Sequence, residues 1–206
     1  MQEILRFFVE GGWVMYLILL TMIVGIAIIL ERIVIIRYKN RIDTTTFINR
    51  LIELVKAGNA NRAIEYCSMS DAALPKIARA GLTELRGTPA EIQNAMELAA
   101  MIEIPKIERR TGYLSMIANV ATLLGLLGTI LGLISAFAAV AHADAADKAA
   151  LLTAGISVAM NTTAFGLMVA IPCLIVYTYL VETTNELIDE INENIARLYK
   201  HFISAR

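Results

Sequence analysis

Three long runs of apolar residues alternate with stretches in which apolar residues recur only at helical spacing, and this alternation predicts the whole architecture. The runs cover residues 13–36, 113–142 and 150–181. Each exceeds the roughly 20 apolar residues needed to cross a bilayer core. The first holds the uncharged stretch Trp13 to Leu30, then Glu31–Arg32, then four more apolar residues. That is longer than a signal-peptide core of about 7–15 residues, and no small-x-small site follows, so a retained helix is expected. Residues 1–12 read as a short amphipathic start (Ile4, Leu5, Phe7, Phe8) at the membrane interface, with Trp13 and Tyr16 as belt residues.

Between the first two runs, residues 37–112 read as a helical domain. Asp43 or one of Thr44–Thr46 can cap a helix with apolar stripe Phe47, Leu51, Leu54 and Val55, ended by Gly58. A second helix is expected over Ala60–Met69, and a third from Leu74–Pro75 to Arg86, stopped by Gly87. Thr88-Pro89-Ala90-Glu91 is a capping-box pattern with Pro at the first helical position, and Pro105 is a candidate kink in the helix that follows. Residues 143–149 form a turn. In residues 182–206, Leu187, Ile191, Ile195, Leu198 and Phe202 fall on one helical face. Nothing breaks the chain before that stripe, so the third span is expected to continue into it. Residues 151–203 would then extend ~80 Å at ~1.5 Å per residue, against ~30 Å of hydrocarbon. The fold class is all-α, a polytopic membrane protein with three transmembrane helices and long helical extensions.

Composition agrees. The 206 residues are 57% hydrophobic with mean hydropathy +0.63, too apolar for an ordinary soluble domain. A net charge of −1 gives no global field for nucleic acid. Its distribution is more telling. Arg32, Arg37, Lys39 and Arg41 follow the first span and Lys106, Arg109 and Arg110 precede the second, whereas the opposite side offers only Arg6 and Lys148. The positive-inside rule therefore predicts the N-terminus outside, residues 37–112 in the cytoplasm, the 143–149 turn outside and the C-terminus in the cytoplasm. Cys67 and Cys173 lie in segments that cannot meet, so free thiols are expected.

The second and third spans hold no Asp, Glu, Lys or Arg over their membrane stretches, and are instead rich in Gly, Ala, Ser, Thr and Asn. Ser115, Asn119, Thr122 and Thr129 share one face of the second span, beside a small-residue stripe that includes Gly125, Gly128 and Gly132. In the third, Thr153, Ser157 and Asn161 line one face, beside Gly155, Ala159, Thr163, Gly166 and Ala170. Small stripes let helix backbones approach closely where no hydrophobic effect drives association. The plain reading of any one Thr is a bond back to its own i−4 carbonyl. Asn119 and Asn161 are costlier in lipid and call for a partner, while Pro172 can simply bend its helix. No phosphate loop or metal-ligand spacing occurs, and His stands only at 142 and 201, so neither enzyme activity, cofactor nor metal is expected. A proton route normally needs an intramembrane ionisable group. Here it would have to come from another polypeptide.

The strings Ile117-Ala118-Asn119-Val120-Ala121, LLGLLGTILGLISAF (123–137) and GISVAMNTTAFGLMVAIP (155–172) resemble the ExbB/TolQ/MotA proton-channel family, in its three-span ExbB/TolQ branch. The resemblance implies an inner-membrane homo-oligomer, a pentamer, around single-span partners resembling ExbD or TolR. It implies that the partner carries an intramembrane Asp, and that ion flow drives an envelope machine, in some systems through a periplasm-spanning TonB/TolA-like protein. Thr129 and Thr163 match the family's pathway threonines, with Thr162 and Asn161 as further candidates beside them. Gly125, Gly128, Gly132, Gly155, Gly166 and Pro172 are candidate helix-packing positions. Val158 stands where many relatives carry Glu, which leaves the choice of H⁺ or Na⁺ open. Other readings are a membrane scaffold and an ion channel acting without a partner.

Overall fold

The computed structural model describes residues 11–36 and 42–204. The expectations for residues 1–10, and for the basic residues Arg6, Arg37, Lys39 and Arg41, fall outside the described residues. Every regular element among the described residues is helical: α1 (Gly12–Val34), α2 (Thr44–Lys56), α3 (Ala60–Ser68), α4 (Ala73–Thr83), α5 (Pro89–Glu108), α6 (Gly112–Ala141) and α7 (Lys148–Ser204). Gly12–Val34, the run Pro89–Ala141 that contains α6, and Lys148–Ser204 are long and apolar enough to cross a membrane. Two compact units result. One combines α1 up to Leu30 with Arg110–Tyr179; the other takes Glu31–Arg109 and the chain from Leu180.

In the first unit Val14, Met15 and Ile18 of α1 pack with Ile117, Ala118 and Ala121 of α6 and with Phe165, Val169, Ala170 and Cys173 of α7. Large apolar side chains remain exposed on all three helices, among them Leu20, Ile23, Leu123, Ile134, Met168 and Ile175. In water such surface would be a liability, but lipid tails solvate it as well as a protein core does.

The second unit is a conventional small core. Phe47, Ile48, Leu51, Ile52 and Val55 of α2 are buried. They join Ile77 and Leu82 of α4, Ile92 and Met96 of α5, and Ile191, Leu198 and Phe202 of α7. Leu54, which the spacing placed in the stripe, is only partly buried, and Ile48 and Ile52 take the more central positions. Asp43 caps α2 by accepting from the Thr46 backbone N–H at 3.2 Å and from its hydroxyl at 2.7 Å. These bonds hold the Asp43 carboxyl below its ordinary pKa. Cys67 lies in the core, and burial pushes its thiol up to about 12, opposed only weakly by Arg79. Such a thiol carries almost no thiolate at neutral pH and is chemically inert.

At the start of α5, the Thr88 hydroxyl accepts from Glu91 N–H at 3.3 Å, and the Glu91 carboxylate accepts from Thr88 N–H at 2.5 Å. The capping box is complete. Thr88→Ala should lower the stability of this unit by about 1 kcal/mol, read as an earlier chemical-denaturation midpoint; an unchanged midpoint would show that other contacts seat α5.

Helix α5 runs on through Pro105 to Glu108, and the chain leaves helical conformation only at Arg109 (ψ 138°) and Arg110 (φ +69°). The last carbonyls of α5 consequently lack partners from a following turn. One is taken by Arg32, whose guanidinium donates to the Ile107 carbonyl. A cation near the end of an apolar run ordinarily snorkels to the interface. The structure instead buries Arg32 to 1% exposure, where the terminal carbonyls of a helix favour a cation.

Candidate functional site

Helices α6 and α7 meet along a seam of residues too small to keep their backbones apart. A Cβ built on Gly125 would lie 3.2 Å from the Thr163 Cα, and one on Gly132 2.9 Å from the Ala159 Cβ. On Gly166 it would lie 2.7 Å from the Ala121 carbonyl oxygen and 3.0 Å from the Gly125 Cα. Gly155 faces Ala136 at still closer range, and Gly128 receives the Thr162 side chain, with the Thr162 Oγ1 2.6 Å from its would-be Cβ. The seam is therefore glycine and alanine from both sides. Ala136, which the stripe read from spacing did not include, is buried in it.

Close approach brings two hydroxyls together at one edge of this seam. Thr129 and Thr163 hydrogen-bond each other across the helices. The Gly125 carbonyl oxygen lies 2.9 Å from Thr163 Oγ1 and 3.1 Å from Thr129 Oγ1, and the Ala159 carbonyl 3.4 Å from Thr129 Oγ1; with one proton each, one hydroxyl donates to the other and the second donates to the Gly125 carbonyl. Both threonines are half-buried. Other threonines of the two spans bond within their own helix. Thr122, Thr153 and Thr178 return their bonds to their own i−4 carbonyls at 3.0, 2.8 and 3.0 Å, the plain reading realised.

The remaining candidates are placed separately. Thr162 is buried and donates to the Ala159 carbonyl at 2.7 Å, so its side chain fills the seam beside Gly128. Asn161 is half-buried, on the side of α7 roughly opposite the seam at 3.6 residues per turn. Pro172 is exposed and does not interrupt α7. Val158 lines a cavity of about 370 Å³ with Gly12, Trp13, Ser135, Ala136 and Gly155. Among the described residues no group of three His, Cys, Asp or Glu could hold a metal ion. The acceptor role of the Gly125 carbonyl was not readable from spacing, because a backbone atom carries no sequence signature.

Residues 69–193 match the model of the MotA/TolQ/ExbB proton channel family. The chain belongs to that family. It is 33% identical over 188 residues to an ExbB homolog of Methanothermobacter thermautotrophicus named for biopolymer transport, covering 91% of this chain and 66% of that protein. An ExbB-like relative in Synechocystis is 30% identical over 196 residues, 93% of each chain. A Tol-Pal system protein TolQ from Haemophilus influenzae is 38% identical over 86 residues, 42% of this chain and 37% of that one. The chain thus spans just under two thirds of the archaeal relative. Membership and the three apolar helices together make this a multi-pass membrane protein of the ExbB/TolQ type.

Proposed function

We propose that this chain is the wall subunit of an inner-membrane complex that couples ion-motive force to work in the cell envelope. It acts as a homo-oligomer, a pentamer, around a single-span ExbD/TolR-like partner whose intramembrane Asp takes up and releases the ion. Work passes outward through that partner, directly or through a TonB/TolA-like protein. Residues 13–36, 113–142 and 150–181 are the spans, residues 143–149 the periplasmic turn, and residues 37–112 and 182–206 lie in the cytoplasm. No step in this role requires the chain to act as an enzyme.

The observation that carries the reading is the Thr129–Thr163 pair. It is a cross-helix polar site on two helices that carry no Asp, Glu, Lys or Arg over their membrane stretches. Its hydroxyls can give or accept a hydrogen bond, which suits an ion, its water or a carboxyl arriving from a partner. Thr162 seats the helix that presents Thr163, whereas Asn161 points to the other side of α7 and stands apart from the pair. The glycines of the seam support the pair by letting the backbones close. Val158 leaves the cavity beside it without an acid, so the carboxylate is the partner's alone.

Purification of the intact complex followed by native mass spectrometry tests this directly. The expected result is five copies of this chain with a smaller protein that has one N-terminal span and an Asp within it. A homo-oligomer that conducts ions unaided would overturn the reading in favour of an autonomous channel. A homo-oligomer silent in every membrane tested would favour a scaffold.

A further inference from the structure

Between α5 and α6 the chain departs from helix over two residues only. Glu108 closes α5, and Thr111, ahead of α6, is already helical at φ −59° and ψ −39°. Arg109 (φ −50°, ψ 138°) and Arg110 (φ +69°) fit the central positions of a type II turn, whose second position favours Gly or Asn. Arg is out of place there on two counts. A residue with a Cβ seldom adopts φ above zero, and Arg is among the good helix formers. Local preference therefore favours one unbroken helix through this point, and something else must hold the break.

Two side chains show what does. In an unbroken helix the Ile107 carbonyl would accept from the N–H of Thr111, four residues on. Here it accepts from the buried guanidinium of Arg32. Thr111 is itself 4% exposed, and its hydroxyl has no hydrogen-bond partner among the described residues. Thr122, Thr153 and Thr178 satisfy the same atom by donating to the carbonyl four residues back. For Thr111 that carbonyl is again the one on Ile107. A single acceptor is thus claimed by Arg32 in the broken form and by Thr111 in the unbroken one. A buried hydroxyl left unpaired disfavours the first form; a buried cation without its carbonyl disfavours the second.

We infer that the α5–α6 junction is a two-state joint and that Arg32 is the latch of its broken form. Release of Arg32 and a turn of Arg109 ψ and Arg110 φ to helical values return the Ile107 carbonyl to Thr111. The left-handed Arg110 is relieved, and α5 and α6 fuse into one helix from Pro89 to Ala141. Two exclusive pairings of one acceptor make such an element bistable rather than continuously deformable. In the unbroken form a displacement of the span that carries Thr129 passes along one rod into α5; in the broken form it stops at Arg109. The joint is a property of the backbone and does not depend on the role proposed for the threonine pair.

Amide hydrogen exchange on the intact, detergent-solubilised complex reads the two forms directly. In the broken form the N–H groups of Thr111 and Gly112 precede the hydrogen-bonded ladder of α6. In the unbroken form they bond to the Ile107 and Glu108 carbonyls and are protected. Arg32→Met removes the donor fork and keeps an extended side chain, so Thr111 and Gly112 should exchange at least about tenfold more slowly than in the parent. Loss of structure would speed exchange, so slowing cannot arise from misfolding. Arg110→Gly eases the left-handed angle and disfavours helix, and adding it to Arg32→Met should restore the parent rate. Should Arg32→Met fail to assemble, Arg32→Lys, a point charge without the fork, replaces it, with slower exchange again expected. Unchanged or faster exchange in the assembled Arg32 variant, or slowing that Arg110→Gly does not reverse, would overturn the joint and leave Arg32 a fixed cap of α5.

Discussion

Thr163→Val should abolish ion-driven activity while leaving the complex assembled. Valine keeps the shape of threonine and removes one hydroxyl. That hydroxyl bonds Thr129 and lies 2.9 Å from the Gly125 carbonyl across the helices. Interhelical hydrogen bonds within a membrane contribute only about 0.6 kcal/mol each on average, so the fold should survive. Thr129 can then donate to the Gly125 carbonyl, 3.1 Å away, which keeps the seam satisfied. A hydroxyl that contacts an ion or a partner's carboxyl is another matter: losing as little as about 1.4 kcal/mol there slows the step tenfold. Growth or transport dependent on the complex, measured beside its recovery by purification, separates the two effects. Thr163→Ser should restore much of the activity by returning the hydroxyl. Thr153→Val is the control, since Thr153 bonds only its own i−4 carbonyl. Activity near the parent level in Thr163→Val would remove this residue from the pathway.

A large loss of stability is expected at Gly166. Its missing Cβ would meet backbone, the Ala121 carbonyl oxygen at 2.7 Å and the Gly125 Cα at 3.0 Å, so no rotamer change can make room. Gly166→Ala should cost about 1–3 kcal/mol through overpacking, and Gly166→Leu should prevent α6 and α7 from closing. Gly128→Leu should also damage assembly, but Gly128→Ala less than Gly166→Ala, because it meets a Thr162 side chain rather than main chain. At Gly112 a Cβ would meet nothing within 4 Å, so Gly112→Ala should be harmless. Thermal unfolding of the detergent-solubilised protein should rank the variants in that order. A Gly166→Ala protein that melts with the parent would mean that the seam is looser than these distances require.

These contrasts mark what spacing alone could reveal. Asp43, the Thr88–Glu91 box and the stripe ending at Phe202 were legible because caps and apolar periodicity are local properties of a helix. The small stripes of α6 and α7 were legible for the same reason. Which member of each stripe lies deepest was not: Thr162 fills the seam while its neighbour Thr163 stands at the edge, a difference of one residue and 100°. Arg32 misled for a related reason. A cation near the end of an apolar run ordinarily reaches for water, yet here α5 ends beside it with an unpartnered carbonyl.

Hydropathy and helical spacing by themselves determined that this is an all-helical membrane protein whose two uncharged spans are built for close contact. They could do so because bilayer thickness and the helical repeat act on every residue alike. Only the tertiary structure decided which hydroxyls meet. The pairing of Thr129 with Thr163 over the Gly125 carbonyl joins residues 34 apart, and depends on how far Gly125 and Gly166 let two backbones approach. That separation arises from the packing of both helices at once, and no single stretch of chain encodes it.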